Sequence, residues 1–165
     1  MNKNIILRLS NEIGNQMFMY AAAYSIAKKM NRNLFIDDET AFLLKKNISS
    51  YGLNHFKITA PIINNNLKFK HMKGYVKRKF LIKTDFMRSQ KRFFIENKDK
   101  NKITNFNLDM LAESFEDNFY LEGHFESEKY FNDIQKDIQN EFTFKEKDYL
   151  KDNFFYREIM KSNSV

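Results

Sequence analysis

The chain has 165 residues, of which 42% are hydrophobic, and it carries a formal net charge of +7. This length suits one domain, and this apolar content excludes a chain that is disordered throughout. The absence of cysteine excludes disulfides, thiolate metal sites and a cysteine nucleophile. No apolar run approaches the roughly twenty residues of a membrane span, and the start has no signal-peptide core, so we expect a cytoplasmic protein.

The first forty residues have the pattern of a strand, a helix and a second strand. Residues 4–9 carry four apolar side chains around Arg8 and predict a short buried strand. Residues 16–30 are apolar almost all round and predict a helix that is buried on more than one side. Residues 34–36 predict the next strand. This βαβ order predicts an α/β fold with a parallel sheet.

The middle of the chain has weaker patterns. Residues 39–46 suit a short helix, and the three asparagines at 64–66 mark a loop. Residues 68–83 mix basic and aromatic side chains and fit either a helix or an extended segment. Residues 98–102 read as a charged loop, and residues 108–115 predict a helix.

The C-terminal part again has clear patterns. Residues 119–121 predict a strand that the following Glu-Gly pair ends. Residues 127–141 predict a helix, with Ser127 as its N-cap and apolar side chains at helical spacing. Residues 145–159 suit one more helix. No repeat and no linker divides the chain.

Charge is unevenly distributed along the sequence. Residues 68–92 contain ten Lys or Arg and one acid, whereas residues 109–148 contain twelve acids and four bases. Such asymmetry can mark a surface for anions, although the codon bias of an AT-rich genome produces the same composition. The alternative function for this chain is therefore a non-enzymatic basic α/β module that binds polyanions, nucleic acid or anionic lipid, through residues 68–92.

The turn between the predicted first strand and helix is a candidate binding site. Residues 13–20 read Ile-Gly-Asn-Gln-Met-Phe-Met-Tyr. Helix N-terminal amides favour an anion, and Gly14 lets a ligand approach the backbone. Asn15 and Gln16 can hydrogen-bond sugar hydroxyls or phosphate oxygens. The spacing of these residues is also explained by an ordinary strand-to-helix turn that binds no ligand.

Two other places hold polar residues directly after a predicted strand. His124 and Glu126 follow the strand at 119–121, where they suit either a binding cleft or an ordinary loop. The carboxylates at 37–39 follow the second strand. Because adjacent carboxylates at a strand end are usually solvated, we predict no metal site there.

Two stretches of the sequence resemble the bacterial α-1,2-fucosyltransferases, glycosyltransferase family 11. The first is Gly-Asn-Gln-Met-Phe-x-Tyr at residues 14–20, preceded by Asn11 and Glu12 where that family commonly has glycine. The second is residues 121–131, where the family usually has Gly-Tyr-Phe-Gln-Ser-x-x-Tyr-Phe, and here His124 and Glu126 replace Tyr and Gln. The matching positions of the second stretch are Gly123, Phe125, Ser127, Tyr130 and Phe131.

The resemblance implies a GT-B arrangement of two facing Rossmann-like domains. This chain would supply the N-terminal, acceptor-side domain over residues 1–160, with a tail at 161–165. The donor-side C-terminal domain, with its His-x-Arg-Arg-Gly-Asp-like motif, has no counterpart here and would be the natural partner. We therefore expect a truncated enzyme whose isolated chain has little or no transferase activity.

The resemblance also implies a reaction. It is the inverting transfer of fucose from GDP-fucose to the 2-hydroxyl of a galactoside, in the synthesis of surface glycans such as lipopolysaccharide. It requires no cofactor and no metal. The implied binding residues are Gly14, Asn15, Gln16, His124 and Glu126, and no residue is identified as the catalytic base. We expect no nucleic-acid partner, and a cytoplasmic location with peripheral contact to the inner face of the membrane.

Overall fold

Four parallel β-strands form the centre of the computed structural model. The structure describes residues 3–43, 50–96 and 108–145. In chain order the strands are β1 (Asn4–Arg8), β2 (Asn33–Asp37), β3 (Lys91–Ile95) and β4 (Phe115–Glu122). They lie in the order β2-β1-β4-β3, and each neighbouring pair is parallel.

Helices cover both faces of this sheet. They are α1 (Ile13–Lys29), α2 (His71–Thr84) and α3 (Gln135–Glu141). Helix α1 and the segment that includes α3 lie on one face, and α2 lies on the other. The predicted α/β class is confirmed as a Rossmann-like parallel sheet flanked by helices. No helix in the described ranges is long and apolar enough to cross a membrane.

The central strand β1 shows why both faces must be covered. Ile5 and Leu7 belong to the core on the α1 side, while Ile6 belongs to the smaller core on the α2 side. All three side chains are buried, as expected for an inner strand of a parallel sheet. The predictions of a strand, helix and strand at 4–9, 16–30 and 34–36 are thus confirmed.

Helix α1 begins three residues earlier than predicted. Its first residue is Ile13, and Glu12 stands at the N-cap position. Gly14, Asn15 and Gln16 therefore lie in the first turn of the helix rather than in a loop before it. This position gives them the geometry of a helix N-terminus.

The region from residue 85 to 122 differs most from the prediction. The predicted helix at 108–115 is wrong, because this stretch is a 3-10 turn at Asp109–Ala112 followed by the start of β4 at Phe115. Strand β4 is also longer than the predicted segment at 119–121. Its polar first half is held by Arg32, whose guanidinium donates to three carbonyl oxygens of the strand. Such a contact between distant residues leaves no local sequence pattern.

The predicted helix at 127–141 is only partly correct. Two 3-10 turns, at Glu128–Tyr130 and Asn132–Ile134, precede α3, which spans the last seven residues of the prediction. The carbonyl of Tyr130 accepts a hydrogen bond from the Lys29 ammonium at 3.2 Å. This side-chain donor occupies the carbonyl that the next helical turn would use, which favours the irregular course.

The remaining predictions fall partly outside the described residues. The segment at 68–83 is the helix α2 rather than an extended segment. The predicted helix at 39–46 is a turn as far as residue 43, where the described range ends. The loop at 98–102 and all but the first residue of the helix at 145–159 lie outside the described residues.

Candidate functional site

The carboxyl ends of the strands lie along one edge of the sheet, which is where parallel α/β sheets bind ligands. We call it the carboxyl edge. Strand β1 ends at Arg8, β2 at Asp37 and β4 at Glu122, and Glu96 directly follows β3. Four charged side chains from four strands are thereby brought to one edge.

Glu122 lies between two arginines at the centre of the carboxyl edge. Arg8 donates to its Oε2 at 3.4 Å, and Arg78 reaches from α2 to bond both of its oxygens. Arg8 also donates to the hydroxyl and the carbonyl of Thr40, at 3.0 and 3.1 Å. Burial lowers the pKa of Arg8, while the charge of Glu122 raises it. Two guanidinium groups thus share the carboxylate of Glu122, and the charge of Asp37 also acts on Arg8.

A cavity of about 740 Å³ opens beside Arg8. It lies between the end of β1 and the start of α2, where Lys70 stands at the N-cap without a side-chain cap hydrogen bond. Among the described residues that line it there is no carboxylate. The lining consists of Arg8, Thr40, Ala41, Leu43, Lys70, His71, Met72, Lys73 and Tyr75. Uncapped helix amides and nearby cations suit an anionic group.

The start of α1 forms a second open helix N-terminus at the same edge. The side chain of Glu12 makes no cap hydrogen bond, and the first turn contains no acidic residue. Gly14 is exposed, and a Cβ atom at this position would meet no other atom within 4 Å. The half-buried Asn15 follows it. These two residues leave room for a ligand against the helix backbone.

Gln16, in contrast, is fully buried and bonded to the backbone. Its Nε2 donates to the carbonyls of Asn11 and Ser50, at 2.7 and 2.8 Å, and its Oε1 accepts from the Gly52 amide at 2.9 Å. The side chain therefore joins the β1–α1 turn to residues 50–52. Its contribution to a binding site is to hold the turn in place.

The loop after β4 depends on Glu96. One carboxylate oxygen of Glu96 accepts from the backbone amides of His124 and Phe125, each at 2.8 Å. Gly123 has a φ of +155°, and a Cβ atom there would lie 2.5 Å from the Cβ of Glu96. Only glycine fits this close approach between the two strand ends.

His124 connects the loop after β4 with the turn after β1. Its Nδ1 lies 3.2 Å from the Nδ2 of Asn11 and 3.5 Å from a carboxylate oxygen of Glu126. Asn11 has a φ of +63°, a left-handed conformation that asparagine tolerates. The structure thus brings the Asn11 turn and the His124 loop together, although 113 positions separate them.

Sequence reasoning missed the residues that hold this edge together. Arg8 carried a signal, because it is the one charged side chain inside an apolar strand. Arg78 carried none, since nothing distinguishes it from the other cations of residues 68–92. Glu96 could not be found while β3 was unrecognised.

The predicted carboxylates at 37–39 are engaged with neighbouring groups. Asp37 accepts from the amides of Glu39 and Thr40, at 3.2 and 3.0 Å. Asp38 pairs with Lys68 at 2.6 Å, and Glu39 pairs with Lys70 at 2.7 Å. In the described residues, no group of three or more His, Asp and Glu side chains is arranged as metal ligands would be.

Comparison with known proteins gives no further indication of the site's role. No family model, no curated protein and no solved structure matches this chain.

Proposed function

We propose that the carboxyl edge is a substrate site of a glycosyltransferase of the α-1,2-fucosyltransferase type. The donor would be GDP-fucose and the acceptor a galactoside. The observation that carries this proposal is the 3.2 Å contact between Asn11 and His124. It joins the two stretches on which the resemblance rests. The proposed reaction also implies a cytoplasmic location.

The open turn of α1 would bind the sugar. Gly14 exposes the backbone amides of the first turn, and Asn15 offers both a donor and an acceptor for hydroxyl groups. Gln16 is a positioning residue, because its hydrogen bonds hold the turn against residues 50–52. The cavity beside Arg8, with its cations and the start of α2, would receive an anionic group of the donor.

His124 is the best-placed group to accept a proton from the acceptor hydroxyl. When Nδ1 carries the proton, the Asn11 amide must turn its oxygen toward the ring to keep the 3.2 Å contact, and the Nε2 atom is then an acceptor. When Asn11 instead donates its N–H to Nδ1, the proton is on Nε2, and Nε2 cannot accept the proton of the hydroxyl. In this proposal, Glu126 selects the tautomer that activates the hydroxyl.

Gly14→Ala and Asn15→Ala test the sugar site. Alanine at Gly14 meets no atom within 4 Å and favours the helix, so we expect the free energy of unfolding to stay level or rise by up to about 1 kcal/mol. The added methyl narrows the ligand's approach, so affinity for GDP-fucose or lactose should fall about tenfold. Asn15→Ala should weaken binding similarly through lost hydrogen bonds.

Calorimetric titration and NMR shifts of the residues at 10–16 and 123–126 provide the measurements. Asn140→Ala, an exposed asparagine on α3 remote from the edge, is the matched control and should leave binding unchanged. Absence of binding to both GDP-fucose and lactose would overturn the proposal. So would binding that neither Gly14→Ala nor Asn15→Ala changes.

A further inference from the structure

Helix α2 exposes an apolar stripe to solvent. Met72, Val76 and Phe80 are 64%, 60% and 65% exposed. They are spaced four residues apart and therefore lie on one face of the helix. The opposite face contains Leu81 and Ile82, which pack against the core on this side of the sheet. A surface helix usually directs only polar residues outward, so the outer stripe requires another explanation.

Lysines flank the stripe on both sides. At 100° per residue, Lys73 and Lys77 lie beyond one border of the stripe and Lys79 lies beyond the other, while Lys83 follows the stripe at its C-terminal end. All four are exposed, and α2 contains no acidic residue. The outer face of α2 therefore combines an apolar centre with a positive margin.

The acid that directly follows this helix in the chain is directed inward. Asp85, the single acid within residues 68–92, is buried and accepts hydrogen bonds from the amides of Arg92 and Phe93. The next two residues, Phe86 and Met87, are again largely exposed. Exposed apolar side chains thus continue past the C-terminal end of α2 without an exposed carboxylate among them.

We propose that α2 docks the protein onto an anionic phospholipid surface. The stripe at positions 72, 76 and 80 would enter the boundary between headgroups and acyl chains, and the four lysines would contact lipid phosphates. Basic amphipathic helices bind membranes through this combination of buried apolar area and electrostatic attraction. The lysines complement the negative charge of the membrane surface, and the apolar stripe beside them complements the acyl chains below it.

The apolar stripe favours a membrane over a nucleic acid. Protein surfaces that bind single-stranded nucleic acid combine cations with aromatic side chains on which the bases stack. Here two of the three stripe residues, Met72 and Val76, have no aromatic ring on which a base could stack, and only Phe80 has one. Met72 and Val76 gain little from a phosphate backbone, whereas they gain from burial in lipid. A protein that bound only phosphates would need the lysines but not the stripe.

The docking surface adjoins the carboxyl edge. Met72 and Lys73 line the cavity beside Arg8 as well as the stripe region. A docked α2 would therefore bring the mouth of that cavity close to the membrane. Membrane docking does not depend on which reaction the cavity serves.

Phe80→Trp provides a direct reporter, because the chain contains no tryptophan. We expect its emission to shift to shorter wavelength with vesicles of phosphatidylcholine containing about 30% phosphatidylglycerol, and not with phosphatidylcholine alone. Phe144→Trp is the control, since Phe144 contacts Phe56 on the α1 side of the sheet. A shift of equal size in the control would contradict docking through α2.

Vesicle co-sedimentation of surface variants separates the apolar and the charged contributions. Val76→Ser with Phe80→Ser should lower partitioning at least about tenfold, while Leu111→Ser on another exposed surface should not. The double variant Lys77→Gln with Lys83→Gln should lower partitioning by more than about tenfold, because each lysine contributes about fivefold. The control double variant Lys57→Gln with Lys136→Gln should lower partitioning much less.

Three results would overturn the inference. One is absence of binding to the phosphatidylglycerol vesicles. Another is vesicle binding that the serine variants leave unchanged. The third is tighter binding to a DNA or RNA oligonucleotide than to vesicles, lost with the glutamine variants but not with the serine variants. Circular dichroism of each variant checks that these exposed positions leave the fold intact.

Discussion

Two glycines of the candidate site differ in what their surroundings require. Gly14 is exposed in the first turn of α1, and its neighbours leave space for a side chain. Gly123 has a positive φ and lies against the Cβ of Glu96. Both belong to the stretches that resemble the fucosyltransferases, but only Gly123 is demanded by the fold. At Gly14 the fold does not require the absence of a side chain, and the room left there is what the proposed sugar site would use.

Gly123→Ala should be strongly destabilising. The new Cβ would lie 2.5 Å from the Cβ of Glu96, in a backbone conformation that alanine rarely adopts. We expect the free energy of unfolding to fall by about 2–4 kcal/mol in urea denaturation. Gly14→Ala is the matched control, since the same change there should not destabilise. Equal effects at the two positions would contradict this account of the loop.

At the scale of elements, the connection from α2 to β3 depends on one buried carboxylate. Both oxygens of Asp85 lie 3.1 Å from the Arg92 amide, and one of them also accepts from the Phe93 amide. Asp85 ends α2, and the two amides begin the edge strand of the sheet. The carboxylate thereby sets where the strand starts relative to the helix.

Asp85→Asn tests this connection. The asparagine keeps one acceptor oxygen but places an NH2 group where the other oxygen accepts from Arg92, so we expect a loss of about 2–3 kcal/mol in the free energy of unfolding. Hydrogen exchange at the amides of Arg92 and Phe93 should quicken more than in β1. Asp133→Asn, which removes an exposed partner of Lys29, should cost less than about 1 kcal/mol. Similar losses in both variants would rule out a special role for Asp85.

Whether a strand or helix could be predicted from the sequence also depended on how much of it is buried. Strand β1 and helix α1 were predicted because each buries a continuous apolar surface, which leaves a regular pattern in the sequence. Strand β3 begins with Lys91 and Arg92 and lies at the sheet edge, so only part of it is buried. Its pattern is correspondingly weak, and the strand is formed by pairing with β4.

For the whole molecule, a buried tyrosine hydroxyl lies on each face of the sheet. Tyr20 on the α1 side donates to Glu141 at 2.5 Å, and Tyr120 on the α2 side donates to the carbonyl of Leu67 at 2.6 Å. Burial, and then the hydrogen bond to Glu141, raise the pKa of Tyr20. Burial, and then the charge of Asp37, raise the pKa of Tyr120 to about 12.

Stability should consequently fall at alkaline pH. Below the ordinary tyrosine pKa of about 10, both hydroxyls are protonated in the folded and unfolded chains, so their contribution is fully present. Above it the unfolded chain ionises first, and the contribution of Tyr120 is lost as the pH rises toward its folded pKa of about 12.

Urea denaturation between pH 8 and pH 12 would measure this loss. Tyr120→Phe should remove about 2 kcal/mol of the decrease in the free energy of unfolding above pH 10, and Tyr20→Phe should also flatten it. Tyr75→Phe is the control, since the hydrogen bond with Lys79 lowers the pKa of that tyrosine. Profiles of Tyr20→Phe and Tyr120→Phe that run parallel to the unchanged protein would contradict the explanation.

The sequence by itself determined the fold class and the start of the molecule. Short apolar runs identified β1 and β2, and a stretch that is apolar almost all round identified α1, because burial imposes such patterns on neighbouring residues. It also singled out Gly14, Asn15 and His124 as candidates. Their assignment to a sugar substrate remains a prediction that comes from resemblance.

Only the tertiary structure decided how these parts form an edge. The strand order, the bonds of Glu96 to the His124 loop and the two arginines on Glu122 all join residues that are distant along the chain. Gln16 shows the same difference between sequence and structure. Its amide is of a type that can bind a ligand, but in the structure it is buried and hydrogen-bonded to the backbone. Contacts across such separations depend on which strands pair, and no local pattern in the sequence records that pairing.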